Sequence, residues 1–226
     1  MISDFISMVF PEYCYACSES LVKGEKYICT HCRYQLPQTD YHKNIDNNLF
    51  RRFWGKVPLK YALSYFKYTR GGKVQQILHK FKYEGVKELG ELLGCWYGNI
   101  LVQYEFHSAF DIIVPVPLHH KKLRKRGFNQ SDMFAVGLSK IMEVEWGQDI
   151  IKREILNPTQ TNKKRYERYE NVKGIFKVVA QKKIRNKRVL IVDDVVTTGS
   201  TLEACALTLL DEGCKEVSIA TIAAGQ

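Results

Sequence analysis

The sequence predicts an α/β protein: a doubly wound, mostly parallel sheet preceded by a small zinc-ribbon-like module. Three observations predict it. Short apolar, β-branched runs alternate with helix-periodic segments along residues 59–222, as in successive βαβ units. One run, VLIV at residues 189–192, is apolar throughout, as expected of a strand buried on both faces. Ahead of these units stand two Cys-x2-Cys pairs, Cys14 with Cys17 and Cys29 with Cys32, separated by eleven residues.

The cysteine pairs match a tetrahedral four-thiolate zinc site, because each pair fits a tight knuckle that turns both sulfurs toward one ion. Two disulfides would need an oxidising compartment, and the opening MISDFISMVFP has an acid at position 4 and no basic segment of a secretory signal. His31 lies between the last two cysteines, but four thiolates complete the shell without it. Cys95, Cys205 and Cys214 fall in apolar surroundings where a small hydrophobe suffices. Residues 1–50 therefore read as a zinc module and a polar linker near residues 44–48, with the metal supplying most of the module's stability. Residues 51–226 read as the sheet domain.

The elements of that domain follow in order. Residues 59–68, rich in Tyr and Phe, read as a strand. After Gly71 and Gly72, Val74, Ile77, Leu78 and Phe81 recur at helical spacing, and a second helix is expected over residues 86–101. DIIVPV at residues 111–116 reads as a buried parallel strand stopped by Pro115 and Pro117. A basic loop comes next, then a helix over 128–142, a short strand at 150–153 and a long polar stretch at 155–172 with no regular core face. The strand at 189–192 ends in acid, a helix carries Leu202, Ala206, Leu209 and Leu210, and a last strand covers 217–222.

Composition narrows the function classes. With 226 residues, 45% of them hydrophobic, the chain has ample material for a core. No apolar run approaches the roughly 20 residues of a membrane span, so a cytoplasmic protein is expected. The net charge of +10 is unevenly placed: residues 152–188 hold 13 Lys and Arg against three Glu, and residues 119–130 hold five cations and no acid. Such local excess suits polyanionic partners.

Asp193 and Asp194 are costly to bury unpaired, so a strand reaching them is expected to open into a polar crevice. The following Thr197, Thr198, Gly199, Ser200 and Thr201 are small, hydroxylated or flexible and precede a helix, whose first N–H groups suit phosphate. At VLIVDDVVTTGST, residues 189–201, the chain resembles the type I phosphoribosyltransferases. The resemblance implies that Asp193 and Asp194 hold the ribose hydroxyls of phosphoribosyl pyrophosphate (PRPP). It implies that the loop from Val195 and Val196 through Thr197, Thr198, Gly199, Ser200 and Thr201 cradles the 5'-phosphate, with Mg2+ accompanying the pyrophosphate.

VPVPL at 114–118, Arg124, RGFNQ at 126–130 and the later Gln160, Arg168, Asn171 and Phe176, with the cysteine module in front, narrow the resemblance to the ComF proteins. These are the phosphoribosyltransferase-like branch associated with DNA uptake in natural transformation. Asn157 and Lys163 depart from the family's usual threonine and leucine there. Arg124 and Arg126 suit pyrophosphate, since guanidinium pairs with phosphate oxygens in a bidentate manner; the RGFNQ run equally suits a helix start with Phe128 in the core and Asn129 as cap. The resemblance further implies single-stranded DNA as a partner, with a DNA-uptake helicase. The cations for DNA are Lys121, Lys122, Lys163, Lys164, Arg165 and Arg168, with Tyr166 and Tyr169 as stacking platforms. The same cations suit a lid over PRPP.

Whether such a protein turns over stays open. Purine-salvage relatives carry an aspartate at the fifth position of the block, where this chain has Thr197, which cannot act as a base near pH 7. Only 25 residues follow Thr201, so an acceptor pocket is expected from the N-terminal module. The two readings are a PRPP-binding protein of DNA uptake and an active phosphoribosyltransferase with an unidentified acceptor; a purely structural zinc adaptor would leave the acid pair and loop unexplained.

Overall fold

The computed structural model describes residues 11–154 and 175–225. The cysteine segment contains helix α1 (Thr30–Gln35), and a 3-10 turn (Tyr41–Lys43) leads to α2 (Asn48–Arg51). Then follow β1 (Leu59–Tyr68), α3 (Lys73–Tyr83), α4 (Lys87–Gln103), β2 (Ile112–Pro115), α5 (His120–Arg126) and α6 (Gln130–Met142). The remainder comprises β3 (Ile151–Arg153), β4 (Phe176–Val178), α7 (Gln181–Ile184), β5 (Arg188–Val196), α8 (Ser200–Asp211) and β6 (Glu216–Gly225).

Four strands form one parallel sheet in the order β1-β6-β5-β2. Parallel strands need covered faces, and both are covered. Leu63, Phe66, Leu190, Val192 and Ile222 pack with Phe81 of α3, Leu93 and Tyr97 of α4, and Phe134 and Leu138 of α6. On the opposite face Val189, Ile191, Val217 and Ile219 pack with Leu49 of α2, Ile184 of α7, and Leu202, Ala206 and Leu209 of α8. The short strands β3 and β4 form a separate antiparallel ribbon on that second side, through Ile151, Phe176 and Val178.

Helices α4 and α6 cross with their backbones nearly touching. A Cβ on Gly137 would lie 2.1 Å from the Glu91 carbonyl oxygen, and one on Gly94 would lie 2.5 Å from that of Phe134. No side chain fits there, and the crossing sets the height of the α6 N-terminus above the sheet.

The cysteine segment is not an isolated appendage. Cys14, Ala16, Ile28, Cys32 and Leu36 are buried in the same apolar cluster as Phe66 and Phe81. The Arg33 guanidinium lies 4.5 Å from the Trp96 ring centroid, and Lys80 Nζ lies 4.8 Å from that of Tyr15. Residues after α1 continue along the free edge of β1, with Thr39 N–H donating to Tyr65 O and Lys67 N–H to Pro37 O. The polar stretch expected as a linker is tied down too: Asn47 is buried, caps α2 by accepting from Phe50 N–H, and donates to Ala62 O at 3.0 Å. Apolar packing therefore orders this segment, which was expected to depend mostly on its metal.

Two further expectations are corrected. The basic loop after β2 is a helix, α5. His119 caps it by accepting from Lys121 N–H, three cations stand in its last turn, and Gly127 ends it in the left-handed region. All three are ordinary helix-end signals. The strand expected to stop at residue 192 runs on through both aspartates to Val196, because Asp193 keeps its register with Thr221 of β6. Among the described residues no helix is long and apolar enough to cross a membrane.

Candidate functional site

The four cysteine sulfurs of the N-terminal segment lie within 4.8 Å of one another, and Cys17 Sγ is 3.8 Å from Cys29 Sγ. Tetrahedral zinc with sulfur at about 2.3 Å spaces its ligands by about 3.8 Å, so this set fits the ion. Backbone N–H groups of Ala16 and Cys29 donate to Cys14 Sγ, and Cys32 N–H donates to Cys29 Sγ. Burial pushes the Cys14 thiol up, but those N–H groups outweigh it and bring it down to about 7. Burial, with Cys17 and Cys29 alongside, pushes Cys32 up to about 12. Four sulfurs in this space want a cation among them.

The second constellation sits at the carboxyl end of the sheet, where a parallel α/β fold leaves a crevice. Ser131, at the start of α6, donates to Asp193 Oδ1 at 2.9 Å, and Asp194 N–H donates to the same oxygen at 2.8 Å. Burial first, then the neighbouring Asp194 carboxylate, pushes the Asp193 carboxyl up to about 7. Lys82 of α3 sets its Nζ 2.8 Å from Asp194 Oδ2. Beyond the acids, Thr197, Thr198, Gly199, Ser200 and Thr201 line a small hollow at the start of α8, together with Asp193, Val195 and Val196. Gly199 adopts φ +86°, and a Cβ there would meet Phe53 Cζ at 2.8 Å, so no other residue fits without strain. Arg52 braces this loop by donating to Thr197 O at 2.7 Å and to Gly225 O.

A pocket of about 310 Å3 opens beside Asp194 and Thr197. It is lined by Tyr68 at the end of β1 and by Gln75, Leu78, His79, Lys82 and Tyr83 of α3. An acceptor pocket was expected from the N-terminal module, yet no described residue of that module lines this one. The cations of α5 reach it from outside: Lys125 and Arg126 each lie 5.6 Å from the Tyr83 ring centroid, and Arg126 donates to Gln130 Oε1 at 2.8 Å. Arg124, Lys121 and Lys122 are exposed on the same helix. Phe128 is buried, and Asn129 caps α6 by accepting from Ser131 N–H, so the helix-start reading of RGFNQ holds. Behind it, burial pushes Asp132 up to about 6 despite hydrogen bonds from Asn129 and Gln148. Lys163, Lys164, Arg165, Arg168, Tyr166 and Tyr169 lie outside the described residues.

Sequence reasoning missed Lys82, Ser131 and Arg52. Each comes from an element remote in the chain, and no local pattern marks which cation or hydroxyl the fold turns toward the acids.

The model of the phosphoribosyl transferase domain matches residues 129–226. Competence protein F of Haemophilus influenzae is 28% identical over 211 residues, covering 93% of this chain and 83% of that protein. DNA utilization protein YhgH of Escherichia coli K12 is 27% identical over 213 residues, covering 91% and 87%. Competence protein ComFC of Bacillus subtilis is 27% identical over 201 residues, covering 88% and 78%. With a parallel sheet carrying its acid pair and glycine-capped loop at the carboxyl edge, the chain has a type I phosphoribosyltransferase fold, and it is similar over most of its length to these competence and DNA utilization proteins.

Proposed function

We propose that the protein binds PRPP with Mg2+ at the carboxyl end of β5 and serves DNA uptake, as the names of its relatives suggest. The observation that carries this reading is the juxtaposition of an ionisable acid pair with a helix start that only glycine can form. Asp193 and Asp194 accept the ribose hydroxyls. The first N–H groups of α8 and the hydroxyls of Thr197, Thr198, Ser200 and Thr201 take the 5'-phosphate. Arg124 and Arg126 face the pyrophosphate. The two carboxylates are hard oxygen donors of the kind Mg2+ accepts beside phosphate. Cys14, Cys17, Cys29 and Cys32 hold a structural Zn2+.

Calorimetry with PRPP and Mg2+ tests the site. Asp194→Ala removes charged hydrogen bonds worth about 1.5–3 kcal/mol, roughly a 10- to 150-fold loss in affinity. Gly199→Val abolishes binding by filling the loop. Unchanged affinity in both variants overturns the assignment.

The exposed cations of α5, Lys121, Lys122, Arg124 and Lys125, support contact with single-stranded DNA. The competing reading, a transferase with its own acceptor, is favoured by the pocket beside Asp194. Pyrophosphate release from PRPP, assayed with and without single-stranded DNA and small acceptors, separates the two.

A further inference from the structure

A cavity of about 570 Å3 lies between α5, the first turn of α6 and β3. It shares no lining residue with the hollow at the start of α8 or with the pocket beside Asp194. Its volume falls in the range of small-ligand sites. Leu118, Leu123, Phe128, Met133 and Ile151 supply apolar wall, and Leu123 leaves 42% of its surface open there although it is a large hydrophobic side chain. Lys87, Lys152 and Arg153 add exposed cations. Apolar walls under a cationic mouth suit a ring that carries a phosphate.

Asp132 is the unusual member of this lining. It is 5% exposed, yet it lines the cavity. Its partners are two neutral amides: Asn129 donates to Oδ1 at 2.7 Å and Gln148 to Oδ2 at 3.0 Å. Burial holds the carboxyl up at about 6 and no cation offsets it, so at neutral pH it is an anion kept out of water without a counter-charge. Buried carboxylates of that kind are costly. The helix cap does not require one, because Asn129 alone accepts from Ser131 N–H. A carboxylate has about four lone-pair sites, so each oxygen of Asp132 can take one donor more.

We propose that this cavity binds a nucleotide whose base presents two adjacent N–H donors, as guanine does, with the base edge on Asp132 and the phosphate on Lys152 and Arg153. Guanine sets its ring N–H and its 2-amino group side by side, matching the two free acceptor positions of one carboxylate. Hypoxanthine lacks the amino group. Uracil flanks its single N–H with two carbonyl oxygens, which face the carboxylate with like charge. A free nucleotide and an unpaired base of a single strand carry this same chemistry. The assignment stands apart from the PRPP reading, since none of its residues belongs to the acid pair or the loop after it.

Calorimetry on the full chain with GMP, IMP, AMP and UMP tests it. GMP is expected to bind tightest and IMP about tenfold or more weaker, the worth of one hydrogen bond to a charged group. Asp132→Asn, nearly identical in shape, brings GMP to the level of IMP. Lys152→Ala with Arg153→Ala weakens all four alike, and both side chains are exposed, so that variant folds. Leu123→Glu, at an equally exposed position, blocks the cavity; it decides the matter if thermal unfolding shows Asp132→Asn to be misfolded. IMP or UMP binding as well as GMP, or a GMP preference that survives Asp132→Asn, overturns the proposal. So does GMP binding that is lost in Gly199→Val but kept in Leu123→Glu, which seats the nucleotide on the loop before α8. Thymidine oligonucleotides with and without one guanine identify the source. A gain from the guanine that Asp132→Asn removes assigns the strand, GMP binding without that gain assigns the free nucleotide, and the absence of both overturns the site.

Discussion

Gly199→Ala is the sharpest test of how the loop at residues 197–201 is built. The substitution acts twice. Holding alanine at φ +86° costs about 1–2 kcal/mol. Its methyl also falls 2.8 Å from Phe53 Cζ, and such overpacking costs about 1–3 kcal/mol. Phe53 is 2% exposed, so its ring has little room to retreat. The combined loss is roughly 2–5 kcal/mol, a large part of the roughly 5–15 kcal/mol that stabilises a typical protein. Phe53→Ala separates the two parts. Alone it costs about 3–5 kcal/mol for the emptied ring site, but in its background Gly199→Ala loses only the backbone part. A double-mutant cycle is therefore expected to show the overpacking part, about 1–3 kcal/mol, as coupling. Urea unfolding of the four proteins at constant m measures it. If Gly199→Ala unfolds within about 0.5 kcal/mol of the parent, or the cycle is additive, Phe53 does not abut the loop and the account fails.

Elemental analysis of reduced protein is expected to find one zinc per chain. Because Cys14 and Cys32 share the main apolar cluster, chelation should lower the main thermal transition as well as unravel the cysteine segment. Burial and Asp194 hold Asp193 at about 7 when folded, against roughly 4 unfolded, so its contribution is complete below pH 4 and lost as pH rises through 7. Ligand-free stability should fall across that window, and Asp193→Asn with Asp132→Asn should flatten the slope. Asp111 behaves oppositely: its hydrogen bonds from Arg188 hold it down to about 2, so its contribution is present above pH 4 and lost as pH falls. Asp111→Asn should cost about 1 kcal/mol at pH 7, allowing for solvent screening, and little near pH 2. Single-stranded DNA binding, measured by anisotropy, should weaken with salt at a log–log slope near roughly −3 if about four phosphates are neutralised; a flat response removes DNA as a partner of α5.

The sheet was readable because its strands carry unbroken apolar runs, and the cysteine cluster because four cysteines at knuckle spacing have few other uses. Asp193 and Asp194 stood out for the opposite reason, as charges where a buried strand should continue. The sequence reading ended the strand there, since nothing local reveals that β6 offers a partner as far as Val196. The helix α5 was legible in principle from Gly127 and the basic last turn, but the density of cations suggested a solvated loop. Lys82, Ser131 and Arg52 were not legible at all. Many lysines and serines in this chain look the same, and only the strand order and the α4–α6 crossing decide which ones meet the acids.

The sheet order also imposes a timetable. Strand β6 sits between β1 and β5 yet follows both in the chain. The bonds from Arg52 to Thr197 and Gly225 span 145 and 173 positions. At a synthesis rate of about 5–20 residues per second, β1 waits roughly 8–30 s for its central neighbour. Meanwhile one edge of β1 can be shielded by the segment carrying Pro37 and Thr39, while the edge meant for β6 stays open. Contacts of such long range also make closure slow. The loop at residues 197–201 is thus completed in one late event, the docking of β6, and a nascent chain stalled before it has an open strand edge.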